Sequence, residues 1–265
     1  MYNKNNSNLV NSNRILTYLN ISGISNIYKQ DVLEGLDLFS SSFIGVVETW
    51  SEKDNFCSSV FKNFYCISSP AVRINVKGRA SGGLMLMSSK SYVEDIETLH
   101  IDKFTIIIKC KLKYSNAKVI IVLVYYPPSL SISCVLECLE TLEDILDPYE
   151  KEKIVILGDF NARVGDCDCN SLLALNLCLS EKRNSNDKFI TSRGKRIVEF
   201  CSRNQLTILN GRTNSDIDGE YTFVDTIGSS VTDYAMVNQS ASSCIKDMKV
   251  CHVSHSPHCA LQINL

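Results

Sequence analysis

KIVILGDFNARVGD, Lys153 to Asp166, decides how the rest of the chain is read. The run Lys153–Gly158 is too apolar for a strand with a wet face, so it reads as a strand buried inside a sheet. It stops at Gly158, and Asp159 and Asn161 follow at once. A carboxylate and an amide therefore emerge together at the edge of a sheet, where sites in α/β proteins lie. A strand ending in a plain turn would also use Gly, Asp and Asn, and on these residues alone both readings stand.

Similar apolar runs lie on either side. Arg14–Asn20, Phe43–Thr49, Gly82–Ser88, Thr105–Leu112, Lys118–Tyr126, Leu206–Asn210, Val231–Val237 and Cys259–Leu265 read as further strands bounded by turn residues. Helical spacing is clearest over Ser133–Leu146, where Val135, Leu136, Leu139, Leu142, Ile145 and Leu146 share a stripe, Ser133 can cap and Pro148 stops the helix. Arg193–Gln205 gives a second helix through Ile197, Val198, Phe200 and Cys201, and Asp31–Phe39 a weaker third. Many strands and few helices, without strict alternation, predict an α/β sandwich with sheets inside and helices outside. Neither a repeat nor a linker divides the chain, so residues 14–265 read as one domain behind a frayed Asn/Ser-rich segment, residues 1–13.

Composition narrows the partners. The formal net charge is −2 over 265 residues, which excludes a chain coated in positive potential, yet the charge is unevenly spread. Between Asn55 and Val93 there is no acid, and Lys62, Arg73, Lys77, Arg79 and Lys90 fall there; Lys188, Arg193, Lys195 and Arg196 form a second basic run. These are either solvated surface charges or contacts for an anionic ligand. Twelve cysteines at irregular spacings in a chain of this length do not read as a bridge framework, and no apolar leader or membrane-length run occurs. The expectation is an intracellular protein with reduced cysteines serving mostly as small core residues.

Three of the four histidines crowd into CHVSHSPHC, Cys251–Cys259. A structural zinc site needs four ligands at regular spacings, whereas these alternate irregularly on a strand-like stretch and would point to opposite faces.

Taken in order, several short stretches carry a resemblance: LNISGI (Leu19–Ile24), VVETW (Val46–Trp50), GRASGGLMLM (Gly78–Met87), YYPP (Tyr125–Pro128), GDFNARVG (Gly158–Gly165), YTFV with SSVTDYAMV, and VSHSP (Val253–Pro257). Together they resemble the endonuclease/exonuclease/phosphatase superfamily, and most closely the apurinic-type endonuclease domain of non-LTR retrotransposons. The resemblance implies a deoxyribonuclease I-like fold: a four-layer α/β sandwich with two central mixed β-sheets flanked by helices. It also implies Mg²⁺, with Mn²⁺ as a substitute, held by Glu48 with Asn20 nearby, since Mg²⁺ takes one or two carboxylates plus waters. Asp159 would orient or deprotonate the attacking water, Asn161 would hold that water or a phosphate oxygen, and Tyr125 would donate to the phosphate or the leaving group. His255 is the residue matched to the catalytic histidine, with Asp233 fixing its tautomer, because a carboxylate in the apolar run VTDYAMV is costly unless paired. Thr222 and Ser230 fall at substrate-lining positions, and Arg79 and Arg193 become phosphate contacts.

Two positions depart from the family. Ser254 stands where an aspartate precedes the histidine, so cation affinity and activity are expected to be reduced, while Ser22 stands where abasic-site endonucleases carry another that retrotransposon members also lack. The function implied is a Mg²⁺-dependent DNA-nicking endonuclease acting on double-stranded DNA through phosphate contacts. It would be a monomer without membrane contact, nuclear if it acts on chromosomal DNA, and associated in such elements with a reverse transcriptase region not included in this chain. Two other readings are a weakened remnant that keeps the fold and nucleic-acid binding, and a phosphatase or phosphodiesterase of the same superfamily with a non-DNA substrate.

Overall fold

The computed structural model describes residues 14–53, 59–73, 77–113, 117–168 and 177–265. The expected frayed segment, residues 1–13, lies outside them. Among the described residues there are fourteen strands: β1 (Ile15–Asn20), β2 (Ser41–Val47), β3 (Phe64–Ser69), β4 (Leu84–Ser89), β5 (Val93–Ile101), β6 (Thr105–Leu112), β7 (Lys118–Tyr125), β8 (Lys153–Asp159), β9 (Thr207–Ile208), β10 (Phe223–Asp225), β11 (Gly228–Ser230), β12 (Asp233–Val237), β13 (Asp247–Cys251) and β14 (Ala260–Asn264). Four α-helices accompany them: α1 (Gln30–Leu33), α2 (Ile132–Leu146), α3 (Ser192–Arg203) and α4 (Gln239–Ser242).

Two mixed six-stranded sheets form the middle of the molecule, ordered β13-β14-β1-β2-β4-β3 and β5-β6-β7-β8-β12-β9, with β10 and β11 as a separate hairpin. The four-layer sandwich is therefore the observed architecture. Its layers follow from the two-residue period of the strands. On β7, Ile121, Leu123 and Tyr125 enter the core between the sheets, while Ile120, Val122 and Val124 face the layer of α2 and α3. On β1, Leu16 and Tyr18 face inward, and Leu19 packs outward with Val32 of α1. A Cβ on Gly45 would lie 2.8 Å from Leu123 Cδ1, so a glycine lets the sheets close at that point. The same alternation carries forward to the ends of the strands, where Asn20, Tyr125, Asp159 and Asp233 all continue the inward-facing set.

The helices differ from expectation at their ends. Ser131, not Ser133, caps α2 by accepting from the Cys134 N–H at 3.2 Å. Thr191 caps α3, its Oγ1 accepting from Gly194 N at 3.0 Å. The third helix is a single turn, α1, followed by a 3₁₀ turn at Leu38–Ser40. Cys66 is disulfide-bonded, a departure from the reduced set expected. No helix among the described residues is long and apolar enough to cross a membrane.

Candidate active site

Strand register brings the chemistry together. In the second sheet Tyr125 stands opposite Asp159, and Asp159 opposite Asp233, so three strand ends place a phenol and two carboxylates in one row. In the first sheet β1 ends at Asn20 and β2 at Val47, one residue before Glu48. The two sheets meet at this end through Asn20, whose Nδ2 donates to Asp159 Oδ2 at 3.1 Å. Asp159 is fully buried, and Asn161 adds two donors to it: its backbone N–H to Oδ1 at 2.9 Å and its Nδ2 to Oδ2 at 3.0 Å.

The histidine of this web is His258. Its Nδ1 lies 2.9 Å from Asp233 Oδ2, and its Nε2 lies 3.9 Å from Asp159 Oδ2. Asp233 is further fixed by Tyr18, whose hydroxyl donates to Oδ1 at 2.8 Å, and by Thr232 Oγ1 at 3.2 Å. The expected partner, His255, is elsewhere: it is 40% exposed, with Nε2 3.3 Å from Asp31 Oδ1 at the foot of α1. The reason is backbone geometry. Ser256 Oγ donates to the Asn20 carbonyl at 2.7 Å and accepts from His258 N, and Cys259 N donates to the Thr222 carbonyl at 2.7 Å. That places His258 against the end of β1 and leaves His255 in the preceding loop.

Burial and neighbouring charge set the protonation states. Asp159 is pushed up to about 8, by burial first and by the Asp233 charge second, with His258 opposing. Burial disfavours the charged form of His258, but Asp233, by charge and hydrogen bond, and Asp159 outweigh it and raise the ring to about 9. Burial, then Glu48, holds Tyr125 well above the usual phenol range, so it remains a donor, and its hydroxyl donates to Glu48 Oε1 at 2.8 Å. Tyr18 is held neutral in the same way, by burial and then by Asp233.

Glu48 is the half-buried carboxylate of the first sheet. Its other oxygen, Oε2, accepts from Trp50 Nε1 at 3.3 Å, and no lysine or arginine among the described residues neutralises it. A carboxylate without an ion-pair partner, held by two neutral donors, suits a hard divalent cation with oxygen ligands. Asn20 lies beside Glu48 with one lone pair of its amide oxygen already engaged. Its Nδ2 serves Asp159, and its Oδ1 accepts from Ser22 N at 3.3 Å. Asp159, Asp233 and His258 also bring ligand atoms within 4.8 Å of one another and could hold a cation, although each already has the hydrogen-bond partners named above.

Two expected substrate contacts are internal supports. Arg193 is 8% exposed, and its guanidinium donates to the carbonyls of Tyr126, Pro127, Pro128, Leu130, Phe160 and Asn161, tying the Tyr125 and Asp159 loops together from behind. Thr222 is fully buried, and its Oγ1 accepts from Thr232 N and Asp233 N, both at 3.0 Å. Ser230, partly exposed, lies at the end of the β10–β11 hairpin, its carbonyl accepting from Thr222 N. Arg79 is exposed and stacks over the Trp50 ring. Four non-glycine residues adopt left-handed backbone here: Ser22, Glu48, Trp50 and Asn161. Such strain persists where the surroundings over-determine it and gathers at functional sites. Sequence reading passed over His258 and Tyr18, whereas Trp50 packs beside the Glu48 loop as its place in VVETW suggests. The signal for the first was its place just before the last apolar strand, as Asp159 closes β8.

A family model described as endonuclease-reverse transcriptase matches residues 119–261. The chain belongs to that family. The match runs from β7 through His258, so it spans most of the web just described. No curated protein matches the sequence. Among solved structures, the endonuclease domain of TRAS1, a telomere-specific non-LTR retrotransposon, is similar at 16% identity and TM-score 0.61, covering 95% of this chain and 98% of that one. A 3′-5′ exonuclease from Neisseria meningitidis is similar at 16% identity and TM-score 0.63, covering 94% and 98%. An AP endonuclease from Leishmania major is similar at 12% identity and TM-score 0.68, covering 95% and 87%. At these identities the likeness carries the fold. With the family match it places the chain in the endonuclease/exonuclease/phosphatase superfamily, among its nucleases and phosphodiesterases.

Proposed function

We propose that the protein is a Mg²⁺-dependent DNA-nicking endonuclease of the non-LTR retrotransposon type. The observation that carries this reading is one continuous web, Asn161–Asp159–Asn20 and His258–Asp233–Tyr18, closing the same end of both sheets beside Glu48 and Tyr125. Phosphodiester hydrolysis needs a base for water, positive charge at the non-bridging oxygens and a donor near the leaving oxygen.

Each need has a candidate. Asp159, when ionised, accepts the proton of the attacking water, and the Asn161 amide orients that water. His258, kept protonated by Asp233, donates from Nε2 to a phosphoryl oxygen. Tyr125, held neutral, donates toward the phosphate or the departing oxygen. Glu48 is the carboxylate that would hold Mg²⁺ or Mn²⁺, and a bound cation supplies positive charge to the phosphate. Arg79 and Lys77, both exposed, extend that positive charge along a duplex; binding by phosphate contacts needs only a local stripe. One of the similar structures, a 3′ phosphatase from Neisseria, is bound to a product DNA hairpin, which supports DNA as the partner. A chromosomal target would place the enzyme in the nucleus.

The test is nicking of supercoiled plasmid with Mg²⁺ and with chelator. Nicking that requires Mg²⁺ and falls at least about a thousandfold in Asp159→Ala supports the reading. Inactivity in every metal, or activity unchanged by Asp159→Ala, sinks it.

A second reading, the weakened remnant, is favoured by one observation. With His258 in the web, the residue before the histidine is Pro257 rather than Ser254, so no carboxylate stands at either position. If this reading holds, Pro257→Asp raises nicking above an unmodified protein that is nearly silent. Vigorous nicking by the unmodified protein contradicts it.

A further inference from the structure

Trp50 is the one tryptophan of the chain, and it sits between three groups that matter to the site. The six-membered ring of its indole packs against Gly23: a Cβ there would come within 2.8 Å of Trp50 Cε3, so glycine at position 23 is a requirement of this ring. Over the ring lies Arg79, its guanidinium carbon 3.8 Å from the ring centroid, close enough for a cation–π contact. The ring edge supplies the third contact, the Nε1 donor to Glu48 Oε2.

Its backbone is held as firmly. Trp50 has φ 53, in the left-handed region, and Glu48 has φ 54. A bulky residue tolerates that conformation only when its neighbours enforce it. Here Trp50 N donates to the Gly82 carbonyl at 3.0 Å, Thr49 N to Gly83 O at 3.1 Å, and Gly23 N to Glu48 O at 2.8 Å. Glu48 is thus aimed from both sides, by Tyr125 at Oε1 and by Trp50 at Oε2. Arg79 is different: it is exposed and makes no ion pair or hydrogen bond among the described residues beyond its stack on the ring. A guanidinium and a carboxylate on one ring, neither in an ion pair among the described residues, form an arrangement that a phosphodiester with its metal would complete.

We propose that Trp50 is a positioning residue that couples the two halves of substrate capture, orienting Glu48 toward the divalent cation through its N–H and presenting Arg79 to a DNA phosphate through its face. The proposal rests on the nuclease reading above, and it assigns to the ring two separable jobs. The N–H acts on cation affinity. The aromatic face acts on phosphodiester affinity.

Two binding measurements separate these jobs without turnover: calorimetric titration with Mn²⁺, and anisotropy of a labelled duplex in EDTA. Trp50→Phe keeps a face and removes the N–H, so Mn²⁺ affinity should fall roughly tenfold, as for lost support behind a metal ligand, with duplex affinity in EDTA unchanged. Arg79→Gln should do the reverse, weakening the duplex about threefold to tenfold while leaving Mn²⁺ alone. Trp50→Leu should weaken both. In the unmodified protein the single tryptophan gives a direct signature: paramagnetic Mn²⁺ should quench its emission saturably, and Glu48→Gln should abolish the saturable part. Circular dichroism confirms that each variant is folded.

If Glu48→Gln removes Mn²⁺ binding but Trp50→Phe and Trp50→Leu match the unmodified protein in both titrations, the coupling is wrong and the nuclease reading survives. If Mn²⁺ binding ignores Glu48→Gln, both fall together.

Discussion

Two histidines three residues apart, His255 and His258, each pair with an aspartate, and the two pairs lie on opposite sides of a functional boundary. His258 and Asp233 are 9% and 0% exposed at 2.9 Å; His255 and Asp31 are 40% and 34% exposed at 3.3 Å. The residue types are identical and the distances similar. What separates them is the surroundings: the buried pair is tied into Tyr18, Asp159 and Asn20, whereas the open pair faces solvent in a shallow bay with Lys29, Gln30, Glu34 and Ser254. An ion pair in water contributes little because screening and side-chain entropy offset its attraction. A buried one fixes protonation and geometry, since breaking it leaves an uncompensated charge. A histidine in a sequence motif is therefore an incomplete assignment until its burial is known.

Arginine offers the same contrast and the largest stability effect. Removing Arg193 strands up to five buried or half-buried carbonyls behind the site, so Arg193→Ala should cost roughly 3–5 kcal/mol in denaturant unfolding. Its neighbour on α3, Arg196, pairs in the open with Glu199, and Arg196→Ala should move the midpoint by less than about 0.5 kcal/mol. Equal costs would remove the distinction between internal support and surface charge.

A smaller effect should appear in pH. His258 has a folded value raised to about 9, against about 6.5 in an unfolded chain, so its pairing stabilises fully below about pH 6.5 and is lost as pH rises through about 9. Asp159, raised to about 8 from an ordinary carboxylate value, acts in the same direction over lower pH, its stabilisation fading as the buried carboxyl ionises. Unfolding free energy should therefore decline between pH 7 and pH 10, by on the order of 2 kcal/mol from His258. His258→Gln should flatten the upper part of that decline. A profile identical in the variant would show that the buried pair does not titrate as described.

Much of the fold was legible because interior strands announce themselves. β6, β7 and β8 are nearly continuous apolar runs, and the expected spans match within a residue. The strands that escaped reading include β3, β5 and β13, and all three lie at sheet edges with exposed or half-exposed residues that interrupt the pattern. Most of the site could be read for the same reason: Asn20, Asp159 and Asp233 end or begin apolar strands, and the two-residue period fixes the face they share. Arg193 and Thr222 misled because charge and hydroxyl were read as surface chemistry, when the same donors and acceptors also satisfy buried backbone. His255 misled because the order Ser-His-x-Pro looked right, while the backbone contacts of Ser256 with Asn20 and of Cys259 with Thr222 set a register three residues later.

The most direct test of the account pairs the two histidines in one assay, Mg²⁺-dependent nicking of supercoiled plasmid by His258→Ala and His255→Ala. The account predicts a loss of about a hundredfold to ten-thousandfold for His258→Ala and a change within about twofold for His255→Ala. A crippled His255→Ala beside an active His258→Ala would contradict it.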